Sequence, residues 1–209
     1  MTRLIIAICL NVGIVLGAFY TLGWFLLCKK KEDPWAERLH IFRFFTYLSN
    51  ILSAVISAIL LVLEIGCLKT GNLLLPDWAV LLRLVGTGAV MVTLLTVIFF
   101  LAPKDGWFLL YYQDNIFMHV LGPLAAFVLY AVLETGLYVD FATALLGGIS
   151  VVLYAALYFV KVVIIGEDRG GWPDFYHFNE GGRWYIAMPA MLVAGFAVSE
   201  LITLVHNLL

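Results

Sequence analysis

The chain has 209 residues, of which 64% are hydrophobic and 12% are charged, and its formal net charge is −2. A soluble domain has roughly 45–50% apolar and about 25% charged residues, so this composition excludes a water-soluble globular protein. The sequence also contains no basic tract with interleaved aromatic residues, which argues against a nucleic-acid partner.

Six apolar segments are long enough to cross a bilayer as helices. A span needs about 20 apolar residues to cross roughly 30 Å of hydrocarbon, and its backbone polar groups must be satisfied within the segment. We therefore predict an all-α integral membrane bundle of six transmembrane helices, with residues 1–209 forming a single domain. The predicted spans are residues 4–28, 40–65, 79–102, 114–134, 141–164 and 184–206.

The first segment has an alternative interpretation as a signal peptide, because Arg3 precedes its apolar run. The run is too long for a signal peptide, no small-residue cleavage site stands out, and residues 29–31 are three lysines that end it. We therefore expect this segment to remain as the first helix.

The distribution of positive charge predicts the orientation of the bundle. Of the 12 lysines and arginines, Arg3, Lys69 and Arg83 lie on the side that holds both termini. The others lie on the side that holds loops 1–2, 3–4 and 5–6. Because cytoplasmic loops carry the excess of positive charge, we expect these three loops to face the cytoplasm.

The second predicted helix carries a polar stripe. Its members are spaced by three, four or seven residues, which places them on one helix face. Polar side chains that face lipid are costly, so we expect this face to point into the bundle. The members are Arg43, Thr46, Asn50, Ser53, Ser57 and Glu64. The simplest role for Ser53 and Ser57 is helix packing, and Arg43 and Glu64 lie near helix ends, where long side chains reach the interface.

The fourth predicted helix begins with Asn115 and His119, which are four residues apart and therefore share a face. Pro123 follows His119 by four residues, so we expect a kink there. Thr46 and His119 each lie about six residues into a helix from the same side, or roughly 9 Å deep at about 1.5 Å per residue. A hydroxyl and an imidazole are thus predicted to meet at one depth.

Aromatic residues are concentrated on the same side of the bundle. Tyr154 and Tyr158 lie near the end of the fifth helix, where tyrosines commonly form an interfacial belt, and Tyr158 is also a candidate pocket residue. The 5–6 loop, residues 166–182, has glycine pairs on both sides of an aromatic centre that includes Trp172 and His177. We predict that this loop folds back as a pocket wall, the alternative being a loop that rests in the headgroups.

The opposite side of the bundle carries a second polar set: Glu64, Arg83, Glu134, Asp140, Glu200 and His206. Glu64 at the end of the second helix and Arg83 at the start of the third are candidates for an ion pair. The set contains no nucleophile and base at matched depth, so we interpret it as helix-end polarity.

Two segments resemble a known family. Residues 45–50, Phe-Thr-Tyr-Leu-Ser-Asn, are similar to the Phe-Thr-x-x-Ser-Asn segment of the androgen-induced-gene family of multipass lipid hydrolases and of its bacterial branch. Residues 119–123, His-Val-Leu-Gly-Pro, are similar to that family's His-x-x-x-Pro on a later helix. Residues 172–179 resemble the family's aromatic loop in part.

This resemblance implies a multipass enzyme that uses a threonine and a histidine to cleave fatty acid esters of hydroxy fatty acids or similar lipid esters. Thr46 matches the threonine and His119 the histidine, and Ser49 belongs to the matched segment. The resemblance also implies a bacterial plasma membrane as the location and a membrane lipid or lipid-like ester as the partner.

The residue types suit this chemistry. A threonine hydroxyl is a weak nucleophile that needs an adjacent base, and neutral imidazole accepts a proton near pH 7. Asn115, one turn before His119, is a candidate to orient the ring, and Asn50, one turn after Thr46, is a candidate donor to an oxyanion. We expect no cofactor and no metal.

Two other functions stay open at this level. In a small transporter or a lipid-binding protein without catalysis, the polar face of the second helix would line a pathway, although the chain shows neither an internal repeat nor paired broken helices. A haem or metal site is less favoured, because His206 lies on the opposite side from His40, His119 and His177.

Overall fold

The computed structural model describes residues 1–29, 34–112 and 116–209, and within these ranges the protein is helical without strands. The longest helices are α1 (Thr2–Cys28), α2 (Phe45–Cys67), α3 (Asp77–Asp105), α4 (Phe117–Leu133), α5 (Phe141–Ile165) and α6 (Trp184–Leu208). Short helical turns occupy Trp35–Arg38, Leu39–Arg43, Phe108–Tyr111, Glu167–Arg169 and Glu180–Gly182.

In the described ranges, five helices are long and apolar enough to cross a membrane, namely α1, α2, α3, α5 and α6. The outer surface of the bundle is apolar, with Val62, Phe99 and Val193 exposed by 70%, 76% and 69%. An apolar surface of this kind needs lipid around it. The protein is therefore a multi-pass integral membrane protein, as predicted, although α4 spans only 17 residues and the count of six is not established.

Helix α3 lies at the centre of the bundle. It contacts α2 and α4 on one side and packs against α5 and α6 on the other. Small residues allow the close approach of α3 to α5, because a Cβ on Gly88 would overlap the carbonyl oxygen of Gly147 on α5. A side chain at Gly88 would push these two helices apart.

Helix α2 begins later than predicted, at Phe45 rather than at residue 40. Phe44 has an extended backbone (φ −90°, ψ 130°), which separates α2 from the 3₁₀ turn over Leu39–Arg43. Arg43 therefore lies outside the helix and contacts His40 Nε2 at 2.9 Å instead of heading the polar stripe. The rest of the stripe faces inward as predicted, with Asn50, Ser53, Ser57 and Glu64 all buried.

Several helices change their winding at this end of the bundle, and two of them, α3 and α4, do so beside the start of α2. Val97–Leu101 in α3 and Phe117–Leu121 in α4 are π-helical turns. In α4 the Gly122 N–H donates to the Phe117 carbonyl five residues back, and Pro123 has no N–H to offer the turn before it. At the place where we expected a kink, before Pro123, the helix therefore has a π-helical turn. Such turns are frequent at functional sites.

Three of the polar residues at the opposite end, Glu64, Arg83 and Glu134, belong to a buried network rather than to helix-end polarity. Arg83, 1% exposed, pairs with Glu134 at 2.9 Å and donates to Ser57 and Asn11. Glu64 accepts from Asn11 instead of pairing with Arg83 as predicted. The network joins α1, α2 and α3 to the residue that follows α4. In contrast, Asp140 is a helix-end residue, since its carboxylate caps α5.

Candidate functional site

A cavity of about 310 Å³ opens at the end of the bundle where the π-turns lie. Its walls come from the start of α2, the π-turns of α3 and α4, and the loop between α5 and α6. The lining includes Thr46, Tyr47, Val97, Leu101, Asp105, Leu109, Met118, His119, Phe175 and Tyr176. Thr46 and His119, 73 residues apart in the sequence, thus line one cavity, as the depth argument predicts.

Thr46 is the second residue of α2 and lies in its first turn, not six residues inside it. The first N–H groups of a helix have no partner within the helix, and the helix dipole makes this end electropositive. Tyr176 provides an acceptor for one of these N–H groups, because its hydroxyl oxygen accepts from the Phe45 N–H at 2.9 Å. The Thr46 hydroxyl thus lies where a developing negative charge is favoured.

Thr46 and Tyr176 are neighbours at the start of α2. They line the same cavity, and the Tyr176 hydroxyl accepts from the N–H of the residue before Thr46. Burial raises the pKa of Tyr176 to about 12, although the hydrogen bond from Phe45 opposes the shift. Tyr176 therefore stays a neutral phenol at physiological pH and holds the start of α2 by accepting from the Phe45 N–H rather than by charge.

His119 lies in the π-turn at the start of α4 and is only 9% exposed. Its Nδ1 is 2.5 Å from the Leu109 carbonyl oxygen. Because a carbonyl only accepts, Nδ1 carries the hydrogen, and the lone pair of the neutral ring is on Nε2. An imidazole whose other nitrogen is fixed by an acceptor is oriented for proton transfer, as in a nucleophile–base pair held by a third group.

Asn50 connects the two candidate residues but does not serve the role expected of it. Its side-chain amide donates to the Thr46 carbonyl at 2.8 Å and to the Met118 carbonyl at 3.1 Å. An amide nitrogen has two hydrogens, so both are engaged and none is left for an oxyanion. Asn50 instead ties the turn that carries Thr46 to the residue before His119.

The other candidates from the matched segment occupy different places. Asn115 lies outside the described residues, and the Leu109 carbonyl takes the orienting role that we had expected of it. Ser49 is buried and hydrogen-bonds to the Thr46 carbonyl and to Thr93 Oγ1 at 2.9 Å. It faces α3 rather than the cavity with His119, so it supports the first turn of α2.

The loop between α5 and α6 folds onto the bundle, as predicted. Asp174 holds it there by accepting from the Tyr158 hydroxyl at 2.8 Å and from the N–H groups of Phe178 and Asn179. Tyr158 also accepts from the Tyr176 N–H at 3.1 Å. These contacts place Tyr176 over the start of α2 and make the loop a wall of the cavity.

Tyr154 and Tyr158 are not interfacial belt residues. They are 4% and 1% exposed and pack in an aromatic cluster with Phe175, Tyr176 and Phe178. The interior position follows from the loop, which covers both rings. Tyr158 is therefore a positioning residue for the loop.

The remaining loop candidates lie at the edge of the site. The Trp172 ring packs against Tyr158, with 6.4 Å between ring centroids, so it supports the cluster without lining the cavity. His177 has a positive φ of 58° and places Nε2 3.8 Å from Asp105 Oδ1. Asp105 lines the cavity, so His177 contributes only to its rim.

Sequence reasoning missed Tyr176, Asp174 and Leu109. The signal for the first two was the Pro-Asp-Phe-Tyr string inside an aromatic loop, because a carboxylate after proline commonly organises a turn. No signal marks Leu109, since its contribution is a backbone carbonyl. Within the described ranges, no group of three or more His, Cys, Asp or Glu residues is placed to hold a metal ion.

Comparison of the chain with protein-family models, with curated proteins and with solved structures found no match.

Proposed function

We propose that this protein is an intramembrane hydrolase of lipid esters, with Thr46 as the nucleophile and His119 as the general base. The observation that carries the proposal is the shared cavity, in which Thr46 occupies the electropositive start of α2 and His119 has its Nδ1 bound by the Leu109 carbonyl. The resemblance of residues 45–50 and 119–123 to the androgen-induced-gene family supports the same assignment.

The reaction would proceed in two halves. Thr46 Oγ attacks the ester carbonyl carbon while its proton passes to His119 Nε2, and the carbonyl oxygen becomes an oxyanion near the first-turn N–H groups of α2. The bond to the alcohol oxygen then breaks, and the alcohol leaves with the proton from His119. Water, deprotonated by His119, attacks the acyl–Thr46 ester, and Thr46 recovers its proton as the free acid leaves.

The attack requires a particular orientation of Thr46. Thr46 and Tyr176 line one cavity with His119, so the Thr46 hydroxyl has to point toward the imidazole rather than toward the phenol when the ester enters. Catalytic hydrogen bonds commonly tighten only when substrate is bound. Tyr176 then remains as the cap of the Phe45 N–H and keeps the first turn of α2 in place.

The test is labelling with a fluorophosphonate probe combined with hydrolysis of short-chain esters in detergent. Thr46→Ala and His119→Ala are both expected to abolish labelling and hydrolysis, and Thr46→Ser to keep part of both. Thr21→Ala is the matched control, because Thr21 is a buried threonine on α1 whose hydroxyl bonds to the Ala18 carbonyl of its own helix. Full activity in either of the first two variants refutes the proposal.

The polar stripe of α2 also suits transport, because it runs from Thr46 to the buried network around Arg83. A transporter predicts solute flux in proteoliposomes that survives Thr46→Ala. Flux without any Thr46-dependent ester hydrolysis would favour this second function over the first.

We also propose a topology for the enzyme. The 17 residues of α4 are at the lower limit of the roughly 17–25 residues that span a bilayer, so α4 would be a sixth, short span. The excess of positive charge on the side of the cavity would place its opening at the cytoplasmic face of a bacterial plasma membrane. Cysteine accessibility at Lys104 and Lys69, in intact cells, tests this orientation.

A further inference from the structure

A second, larger cavity lies in the side of the bundle between α3 and α6. It has a volume of about 470 Å³ and a lining that is almost wholly apolar. Leu95 and Phe99 form its α3 wall, and Ala190, Ala194, Ala197 and Leu201 form its α6 wall. The alanines leave the space that larger side chains would fill, so the groove is open to the lipid along its length.

This groove adjoins the candidate site. A small cavity of about 20 Å³ between them is lined by Thr96, Phe178 and Met191, which also line the groove. The same small cavity is lined by Thr46 and Tyr176, which also line the cavity that contains His119. Thr46 therefore lies between the apolar groove and the imidazole.

We propose that the groove between α3 and α6 binds the acyl chain of the ester, so that the chain of the acyl–Thr46 intermediate lies there and the alcohol leaves through the His119 cavity. This inference rests on the proposed function. An acyl chain needs an apolar site and the alcohol a more polar one. The groove is apolar, whereas the other cavity contains His119 and Asp105.

The dimensions of the groove favour a long chain. Its α6 wall extends from Ala187 to Leu201, a rise of about 21 Å at about 1.5 Å per residue. This exceeds the roughly 15 Å depth of one leaflet of a bilayer with a core of about 30 Å. Bulk lipid is as apolar as the groove, so preference for a chain length must come from the fit of its shape rather than from hydrophobicity.

Shortening the groove is the direct test. Ala194 lies midway along the α6 wall and is exposed, so Ala194→Phe fills the groove without crowding the protein interior. We expect hydrolysis of a palmitate ester to fall at least about tenfold relative to the butyrate ester, since even a methylene-sized misfit is worth about 10–200-fold. The measured quantity is the ratio of palmitate to butyrate hydrolysis, because a general loss of folded protein would lower both activities equally.

Ala58→Phe is the matched control. Ala58 is an exposed alanine in another apolar groove, of about 390 Å³, between α1 and α2, and that groove shares no lining residue with the cavities around Thr46. An unchanged palmitate-to-butyrate ratio in Ala194→Phe, or an equal loss on both esters, overturns the groove assignment. Butyrate hydrolysis that persists in Thr46→Ala instead overturns the proposed function, so the two failures are distinguishable.

A second measurement does not depend on turnover. A photoreactive palmitate analogue, incubated with the Thr46→Ala protein in phospholipid nanodiscs, is expected to label α3 near Leu95 and α6 near Ala194, and Ala194→Phe is expected to abolish that labelling. The proposal is contradicted if the groove that contains Ala58 is labelled as strongly as the groove between α3 and α6 and if Ala194→Phe changes neither. Lipid that merely surrounds the protein would give that result.

Discussion

Asn50 on α2 donates from its side-chain amide to the Met118 carbonyl on α4 at 3.1 Å, one residue before His119. The same amide donates to the carbonyl of Thr46. One buried side chain thus links the segment of the candidate nucleophile to that of the candidate base, and its two bonds explain why Asn50 has no donor left for substrate.

Asn50→Ala is expected to lower kcat by roughly 10- to 100-fold with little change in KM, because a misplacement of about 1 Å can cost about 10²-fold. Steady-state kinetics on a short-chain ester measures the split. Ser53→Ala is the control, since Ser53 is a buried member of the same stripe that does not line the Thr46 cavities. An unaltered kcat in Asn50→Ala would show that its bonds to the two carbonyls are dispensable.

Tyr176→Phe is expected to lower kcat about tenfold, because it removes the acceptor of the Phe45 N–H and a typical hydrogen bond contributes about 0.5–1.5 kcal/mol. The pH–rate profile should show no tyrosine ionisation below pH 11, since burial raises the pKa of Tyr176 to about 12. A basic limb near pH 10, lost in Tyr176→Phe, would contradict this assignment.

Asp174→Ala is expected to release the loop between α5 and α6, because three donors lose a charged acceptor and such bonds contribute about 1.5–3 kcal/mol each. Hydrogen exchange at Phe178 and Asn179 should accelerate, and proteolysis within residues 166–182 should increase. Asp168→Ala changes an exposed carboxylate in the same loop and should do neither. Equal protection in both variants would argue that aromatic packing alone holds the loop.

Arg83→Met is expected to destabilise the protein by about 3–5 kcal/mol, because it leaves the Glu134 carboxylate buried without its partner. Lys104→Met breaks the ion pair with Glu180, in which the Lys104 and Glu180 side chains are 45% and 69% exposed. It should lower the free energy of unfolding by only about 0–1 kcal/mol. Unfolding in mixed micelles, followed by tryptophan fluorescence, compares the two. Similar losses would mean that the Arg83 network is not closed to water.

Asp140 predicts a pH dependence of stability. The Asp140 carboxylate accepts hydrogen bonds from the Thr143 hydroxyl and from the N–H groups of Ala142 and Thr143. These bonds lower the pKa of the Asp140 carboxyl below its ordinary value of 3.8. A depressed folded-state pKa stabilises the fold above the unfolded-state value, and the contribution is lost as the pH falls through the folded-state pKa. The difference in melting temperature between the wild type and Asp140→Ala should therefore be constant near neutral pH and shrink below pH 3.8. A difference that persists unchanged in acid would show that the carboxylate charge is not involved.

Several features of the protein follow from the sequence alone. The apolar runs predict membrane helices, and the spacing of Asn50, Ser53, Ser57 and Glu64 predicts that one face of α2 is buried, as it is. The sequence also predicts that Thr46 and His119 meet, and they line one cavity, although both lie in the first turn of a helix and not six residues inside it. These features are predictable because hydrophobicity and helical periodicity are local properties of the chain.

Only the tertiary structure decided the partners of the polar groups. Arg83 is bonded to Glu134 rather than to Glu64, and Tyr176 caps an N–H group 131 residues earlier in the chain. Such pairings depend on the rotation of each helix and on the path of the loop, which no spacing along one segment encodes. The orienting group of His119 is a backbone carbonyl, which every residue possesses, so only the packing of the turn at Leu109 against α4 identifies it.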